Sequence, residues 1–507
     1  MYCILSFFIA AFGQPVYLPA CGVLASLIGY AVFWKKYRGR FLPAFFWFSA
    51  VEAVQLFWMT SIHYQGPYIL VVYFLIVMGM GIQFALLTYW IPKRLHLVPI
   101  LAIAGVWTIF EWVRLFVFTG FTWNPVGLAM ACNHYSLQWA SLFGVYGLSF
   151  WVIFVNLLAL ASYRKGWVVG ALLPFLWGVG QEGYFSKPDP PKLSTLLVQT
   201  ALLPEERELP GTPPYRQWER ILRMVKQEKD IDLIVFPESA LPFGAFSKIY
   251  TDIGFHKIWE KIFHQPVEVA SRISNATWAQ ALADHLNADL IIGLDDSDTE
   301  HNYNAAFYFS PKGLSPCRYI KRVLVPMGEY IPFSWCQKLA GKFGITGSFM
   351  AGQEATIFPT KVPTGISICI EETYSEVMRK TRKNGAKLFV NLTNDVWFPG
   401  SLLSQQHFDH SRIRAVENGV PIIRATNTGV TGVIDAFGKA IAILPQQKAG
   451  LLSVRVPIVT YPTLYTFWGD EVILTLSLIF VLALLAYNRI MSCLYKVKLG
   501  ASKDTKK

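Results

Sequence analysis

The sequence lacks the cysteine patterns that build metal sites or disulfide frameworks. Its seven cysteines, at 3, 21, 132, 317, 336, 369 and 493, include no CxxC pair and no cluster with histidine. Neither a zinc site nor a disulfide scaffold is implied, and no metal or cofactor is expected. Charge is also scarce: 15% of the 507 residues are Asp, Glu, Lys or Arg, against 53% hydrophobic. That balance excludes an ordinary soluble enzyme and fits a membrane protein. Long apolar runs are missing, in turn, from residues 190–460, a length sufficient for one large globular domain with its own core. They crowd instead into 1–185 and return at 471–488, ahead of a basic tail over 489–507.

A membrane span needs about 20 mainly apolar residues. Eight candidates lie near 2–12, 16–34, 42–61, 68–91, 98–117, 137–161, 167–181 and 471–488, the first and seventh being short. Residues 2–12 have no charged segment before them and run into Pro15 and Pro19, so a membrane hairpin is expected rather than a cleaved leader. Lys and Arg are absent from the loops SIHYQGP and FTGFTWNP after spans three and five. They concentrate in KKYRGR (35–40), PKRLH (92–96), YRK (163–165) and the tail, after spans two, four, six and eight. The positive-inside rule then puts both termini in the cytoplasm and residues 190–460 outside it, in the periplasm of a bacterium with two membranes. The same rule accounts for the net charge of +12 without a nucleic-acid partner. Glu111 and Arg114, three apart in IFEWVRLF, share a helix face as an ion pair or as a grip on a lipid headgroup. TGFTW (119–123) supplies aromatic anchors at the interface.

From residue 194 apolar strands alternate with polar loops and helices: STLLVQ, DLIVFPES, ADLIIGLDD, AAFYFSPKG, GISICIEE, KLFVNLTND, PIIRATN and GVIDAFG. Helical stretches such as YRQWERILRMVKQ and QQHFDHSRIRAVENG fall between several of them, which argues an α/β domain with functional residues at its strand ends. Glu238 ends one strand beyond Pro237, where partial desolvation raises a carboxyl pKa toward that of a general base. Lys321 precedes Glu329 by eight residues in a Pro/Gly-bounded loop, a place from which it stabilises an oxyanion or simply pairs with Glu329. Cys369 ends a third strand in GISICIEETY. Its ordinary role is a packed core thiol, and its functional one a nucleophile whose thiolate character rises beside a cation such as Lys321.

Taken together, PES, YIK followed by LVPMGEYIP, the strand ending in Cys-Ile-Glu, and NDVWF (394–398) resemble the nitrilase superfamily. Within it they are similar to the bacterial apolipoprotein N-acyltransferase family, as are FEWVRLFVFTGFTW in the membrane part and RAVENGVPIIRATNTGVTGVID near the end. The resemblance implies about eight spans joined to a nitrilase-like αββα sandwich. It assigns Glu238 as base, Lys321 as oxyanion stabiliser, Cys369 as nucleophile, and Glu329 and Glu371 as supporting residues. It further implies a phospholipid acyl donor, a Cys thioester and a diacylated lipoprotein acceptor, with no partner subunit needed, so that a monomer is expected. Ile370 stands where the family usually has an aromatic. The stretch TALLPEERELPGTPPYRQW also departs from the family pattern, and Trp218 within it is given no function. Other readings are a Cys/His protease using His407 or His410, a membrane-bound amidase with water as acceptor, and a scaffold with an inactive hydrolase domain. Two apolar loop segments, ALPFGAF (240–246) and VWFPGSLL (396–403), either meet lipid or pack on their own domain.

Overall fold

The computed structural model describes residues 2–207, 213–268, 273–333, 337–342 and 349–504. Cys336, part of the 200–218 stretch and the last three residues of the basic tail lie outside them. The chain forms two compact units. One comprises Met1–Thr60, Tyr68–Gln181 and Phe467–Lys507, the other Ser61–Pro67 and Glu182–Thr466.

The first unit is helical. Apolar side chains on all faces leave its helices no amphipathic stripe, as in a lipid-embedded bundle. Four helices among the described residues are long and apolar enough to cross a membrane: Tyr68–Trp90, Leu97–Phe116, Ala140–Leu160 and Glu471–Ser492. Tyr2–Ala11 and Phe41–Gln55 are shorter apolar helices. The second expected span is a helix from Pro19 to Tyr37 that passes through a π-helical turn at Ala25–Gly29, and the seventh lies in the helix Arg164–Phe185, which contains Pro174. Small residues set the packing. A Cβ on Gly105 would stand 2.8 Å from the Ser477 carbonyl oxygen, so the helices carrying them approach almost backbone to backbone. Arg114 Nη2 lies 3.4 Å from Glu111 Oε1, and both residues are buried. The same oxygen accepts from Trp107 Nε1 at 2.8 Å and from the Val126 backbone N–H at 2.9 Å, so Glu111 also caps the turn that follows TGFTW.

Among the described residues, the second unit holds twelve strands in two six-stranded sheets. In chain order they are β1 Lys192–Gln199, β2 Leu233–Val235, β3 Asp289–Ser297, β4 Asn302–Phe309, β5 Cys317–Ile320, β6 Ile357–Phe358, β7 Thr364–Ile368, β8 Leu388–Thr393, β9 Ile422–Thr426, β10 Gly432–Ile434, β11 Ala440–Ile443 and β12 Gly450–Pro457. One sheet has the order β12-β1-β2-β3-β4-β5 and the other β11-β10-β9-β8-β7-β6. The central strands β1-β2-β3 and β7-β8-β9 are parallel, and antiparallel partners flank them. Parallel strands covered on both faces must be apolar on both. Leu197, Val235, Ile291, Ile366, Val390 and Ile423 accordingly meet in the core between the sheets. Their neighbours Leu196, Ile234 and Ile292 pack under the outer helices of the first sheet, and Phe389 and Ile422 under those of the second. The result is the four-layer αββα sandwich. Trp218 belongs to the outer core of the first sheet, where its Nε1 donates to Asn275 Oδ1 at 2.9 Å.

Candidate active site

The strands deliver their polar residues just past their apolar runs, where the backbone is free to turn. Glu238 follows β2 by three residues and is buried; its Oε2 accepts from the Asn394 backbone N–H at 2.8 Å, just after β8. Its Oε1 accepts from Lys321 Nζ at 3.1 Å and from Asn304 Nδ2 at 2.7 Å. Lys321 comes directly after β5, is fully buried, and also donates to Glu329 Oε1 at 2.8 Å. Asn304 on β4 ties the two carboxylates together, because its Nδ2 lies 2.8 Å from Glu329 Oε1 as well. Val325 N–H fills the other Glu329 oxygen at 2.7 Å. The turn at Glu238 depends on Gly293 of β3, where a Cβ would lie 2.6 Å from both Glu238 Cα and the Pro237 carbonyl oxygen. Gly293→Ala is therefore expected to push Glu238 away from Lys321 and slow the enzyme by about fivefold to about a hundredfold, as overpacking of about 1–3 kcal/mol implies. Circular dichroism beside a rate assay separates that outcome from unfolding.

Cys369 begins the turn after β7 with φ 53°. A left-handed conformation costs a non-glycine residue roughly 1–3 kcal/mol and is retained where the surroundings enforce it. Its carbonyl oxygen is held by Asn391 Nδ2 at 3.3 Å and His407 Nε2 at 3.2 Å. Glu371 supports the same turn from the other side. Its Oε2 accepts from the Ile368 N–H and the Tyr319 hydroxyl, both at 2.7 Å, and its Oε1 from the N–H groups of Arg322 at 2.5 Å and Val323 at 3.1 Å. Glu371 thus locks the residues after Lys321 to the residue before Cys369.

The electrostatics set a limit on the Lys321 effect. Lys321 does favour the Cys369 thiolate, in the expected direction, but burial, and then the Glu238 charge, outweigh it and hold the thiol well above the ordinary range. The cation is already committed to two carboxylates. Burial opposes the Lys321 charge, but Glu238 and Glu329 more than compensate and raise its pKa well above that of a free lysine. Burial likewise lifts Glu238 above the usual carboxylate range against the attraction of Lys321, with Glu329 adding to the rise. Cys369 thus feels both the Glu238 and the Lys321 charge, with burial as the largest influence on its thiol.

Sequence reasoning left several residues of this region without a role. Asn304 is the third residue of β4, just ahead of the apolar run AAFYF, and a polar amide at the start of that run was the available signal. Glu372, Asp395 and Arg424 were also passed over, although all three are buried charges. The protease reading with His407 as base does not match the geometry, because His407 lies with Nδ1 3.1 Å from Asp395 Oδ1 and Nε2 3.0 Å from Glu372 Oε1. Both His407 ring nitrogens are taken up by carboxylates.

Two stacked sheets between helical layers, with Glu, Lys and Cys gathered at the strand ends, define a carbon-nitrogen hydrolase domain, and the family described as carbon-nitrogen hydrolase matches residues 212–462. The apolipoprotein N-acyltransferase N-terminal domain matches residues 5–158. Over 525 aligned residues, spanning 94% of this chain and 96% of the relative, the protein is 31% identical to the apolipoprotein N-acyltransferase of Chlamydia caviae. It is 32% identical to that of Chlamydia pneumoniae over 92% and 93% of the two chains. The chain belongs to the apolipoprotein N-acyltransferase family.

Proposed function

We propose that this protein transfers an acyl chain from a membrane phospholipid to the α-amine of the diacylglyceryl-cysteine at the N-terminus of lipoproteins, through a thioester on Cys369. The observation that carries the reading is the Glu238–Lys321–Glu329 hydrogen-bonded cluster beside a strained cysteine, in a chain that also holds long apolar helices. Glu238 takes the Cys369 proton as sulfur bonds to the ester carbonyl carbon, and Lys321 with a backbone N–H balances the oxyanion. The carbon–oxygen bond then breaks, Glu238 returns the proton to the leaving oxygen, and lysophospholipid departs. In the second half the lipoprotein amine attacks the thioester carbonyl and gives Glu238 a proton. The carbon–sulfur bond breaks, the proton passes to sulfur, and an amide is released. One site is used twice, in ping-pong fashion.

Both substrates are anchored in a bilayer, so tethering the catalytic unit to spans raises the effective concentration of each. Phe243, Phe246, Trp397 and Leu402 are exposed in the loops beyond Glu238 and Asn394, and we assign them to the acyl chains. Incubation with phospholipid carrying a labelled acyl chain and a diacylated lipopeptide tests the transfer: label is expected in the lipopeptide as amide. Label released only as free fatty acid would instead indicate an amidase-like enzyme with water as acceptor.

The basic clusters support an enzyme of the bacterial inner membrane, with cytoplasmic termini and a periplasmic catalytic unit. Cys317 is exposed in that unit and reports its side. A membrane-impermeant maleimide added to cells with a permeabilised outer membrane is expected to label wild type and to lose most of that label in Cys317→Ser. Labelling only after lysis of the inner membrane would invert the topology.

A further inference from the structure

Four buried charges form a closed ring beneath the nucleophile turn. His407 Nε2 lies 3.0 Å from Glu372 Oε1, and Glu372 Oε1 is paired with Arg424 Nη1. Arg424 Nη2 lies 3.9 Å from Asp395 Oδ2, and Asp395 Oδ1 lies 3.1 Å from His407 Nδ1. Ser411 Oγ braces the ring, donating to Glu372 Oε2 at 2.5 Å and accepting from Arg424 Nη1 at 2.9 Å. All five residues are at most 4% exposed. The signs alternate around the ring only if His407 carries both protons. A neutral imidazole would leave one of the two carboxylates uncompensated in a buried site and one ring nitrogen pointing its lone pair at oxygen.

The ring touches the reaction machinery at two points. His407 Nε2 also lies 3.2 Å from the Cys369 carbonyl oxygen, on the residue whose backbone is left-handed. Asp395 follows Asn394, whose N–H donates to Glu238 Oε2. We propose that His407 is a charged positioning residue, kept doubly protonated by Glu372 and Asp395, that holds the Cys369 turn in its reactive conformation through the Cys369 carbonyl. The other groups facing it are Arg424 from β9, and Ser411 and His410 from its own helix, Leu403–Asn418; burial, and then the Arg414 charge, hold the His410 pKa well below that of an ordinary histidine. The proposal rests on Cys369 being the nucleophile.

Two measurements on the full-length protein in detergent or lipid test it. Gln406–His407 is the one Gln-His pair in the sequence, so labelling glutamine with 13C at the carbonyl and histidine with 13C and 15N singles out His407 by NMR. Its two ring nitrogens are expected to show the closely spaced 15N shifts of an imidazolium at neutral pH, as donation from both nitrogens to oxygen requires. The widely split pair of a neutral ring at neutral pH would overturn the proposal, and this arm needs no variant to fold. In the second measurement His407→Gln, which keeps a donor but loses the charge, is expected to form acyl-enzyme about tenfold to a hundredfold more slowly, with the KM for phospholipid little changed. A wild-type rate in the variant would overturn the positioning role, whereas a wild type that never acylates would overturn the nucleophile assignment, leaving the charge of His407 to be read from the NMR.

Discussion

Lys321→Met is expected to abolish acylation and to cost more stability than any other single change at the site. Lys321 is fully buried between Glu238 and Glu329, and removing its ammonium leaves two carboxylates bridged by Asn304 alone. Breaking a buried ion pair from one side costs about 3–5 kcal/mol, because the remaining charge is uncompensated. In this variant one of the two carboxyls takes up a proton to relieve the repulsion. If Glu238 is the one protonated, the base is lost together with the oxyanion partner, and the two losses reinforce each other. A fall in acylation rate of at least about a thousandfold follows from the size of such electrostatic contributions. The checks are single-turnover acylation and thermal unfolding; an acylation rate within tenfold of wild type would remove Lys321 from the mechanism.

Glu238→Gln is expected to retain the fold and lose the chemistry. Glutamine is nearly isosteric and still accepts from Asn394 N–H or Lys321, but it cannot take a proton from a thiol that burial and its neighbours hold well above the ordinary range. General-base catalysis contributes about a hundredfold to ten-thousandfold, and a loss at the upper end is expected because the resting thiolate fraction is so small. The pH profile supplies a second reading. The Glu238 carboxyl sits above the usual carboxylate range, so it is the protonated, inactive form that accumulates as pH falls through that raised pKa. The wild-type acylation rate should therefore rise with pH across that region, and the residual rate of Glu238→Gln should not follow the same step.

The reach of sequence reasoning depended on burial. Strands β1 to β4 and β7 to β10 were legible because sheets covered on both faces favour mainly apolar runs, such as LFVNLT and TGISI, every residue of which is buried. The outer strands were not. β5, β11 and β12 leave much of their surface open, and β6 is only two residues long, so none shows a continuous apolar signal. Glu238, Lys321 and Cys369 could be picked out because each interrupts or ends a pattern, and the structure brings Glu238 and Lys321 into direct contact across 83 positions of sequence. Of adjacent Glu371 and Glu372, only the first was singled out, through the resemblance carried by Cys-Ile-Glu. The turn after β7 points the first toward the Lys321 loop and the second toward His407 and Arg424. The charge ring stayed hidden for a related reason: its members lie at 372, 395, 407 and 424 on four different elements, and only the closed fold reveals their alternation.

Intact-mass spectrometry of the purified enzyme after brief exposure to phospholipid tests the central claim most directly. The account predicts an added fatty-acyl mass on wild type that neutral hydroxylamine removes, and no such mass on Cys369→Ala. A folded wild-type protein that stays unmodified with phospholipid present, or an adduct that persists in Cys369→Ala, would contradict it.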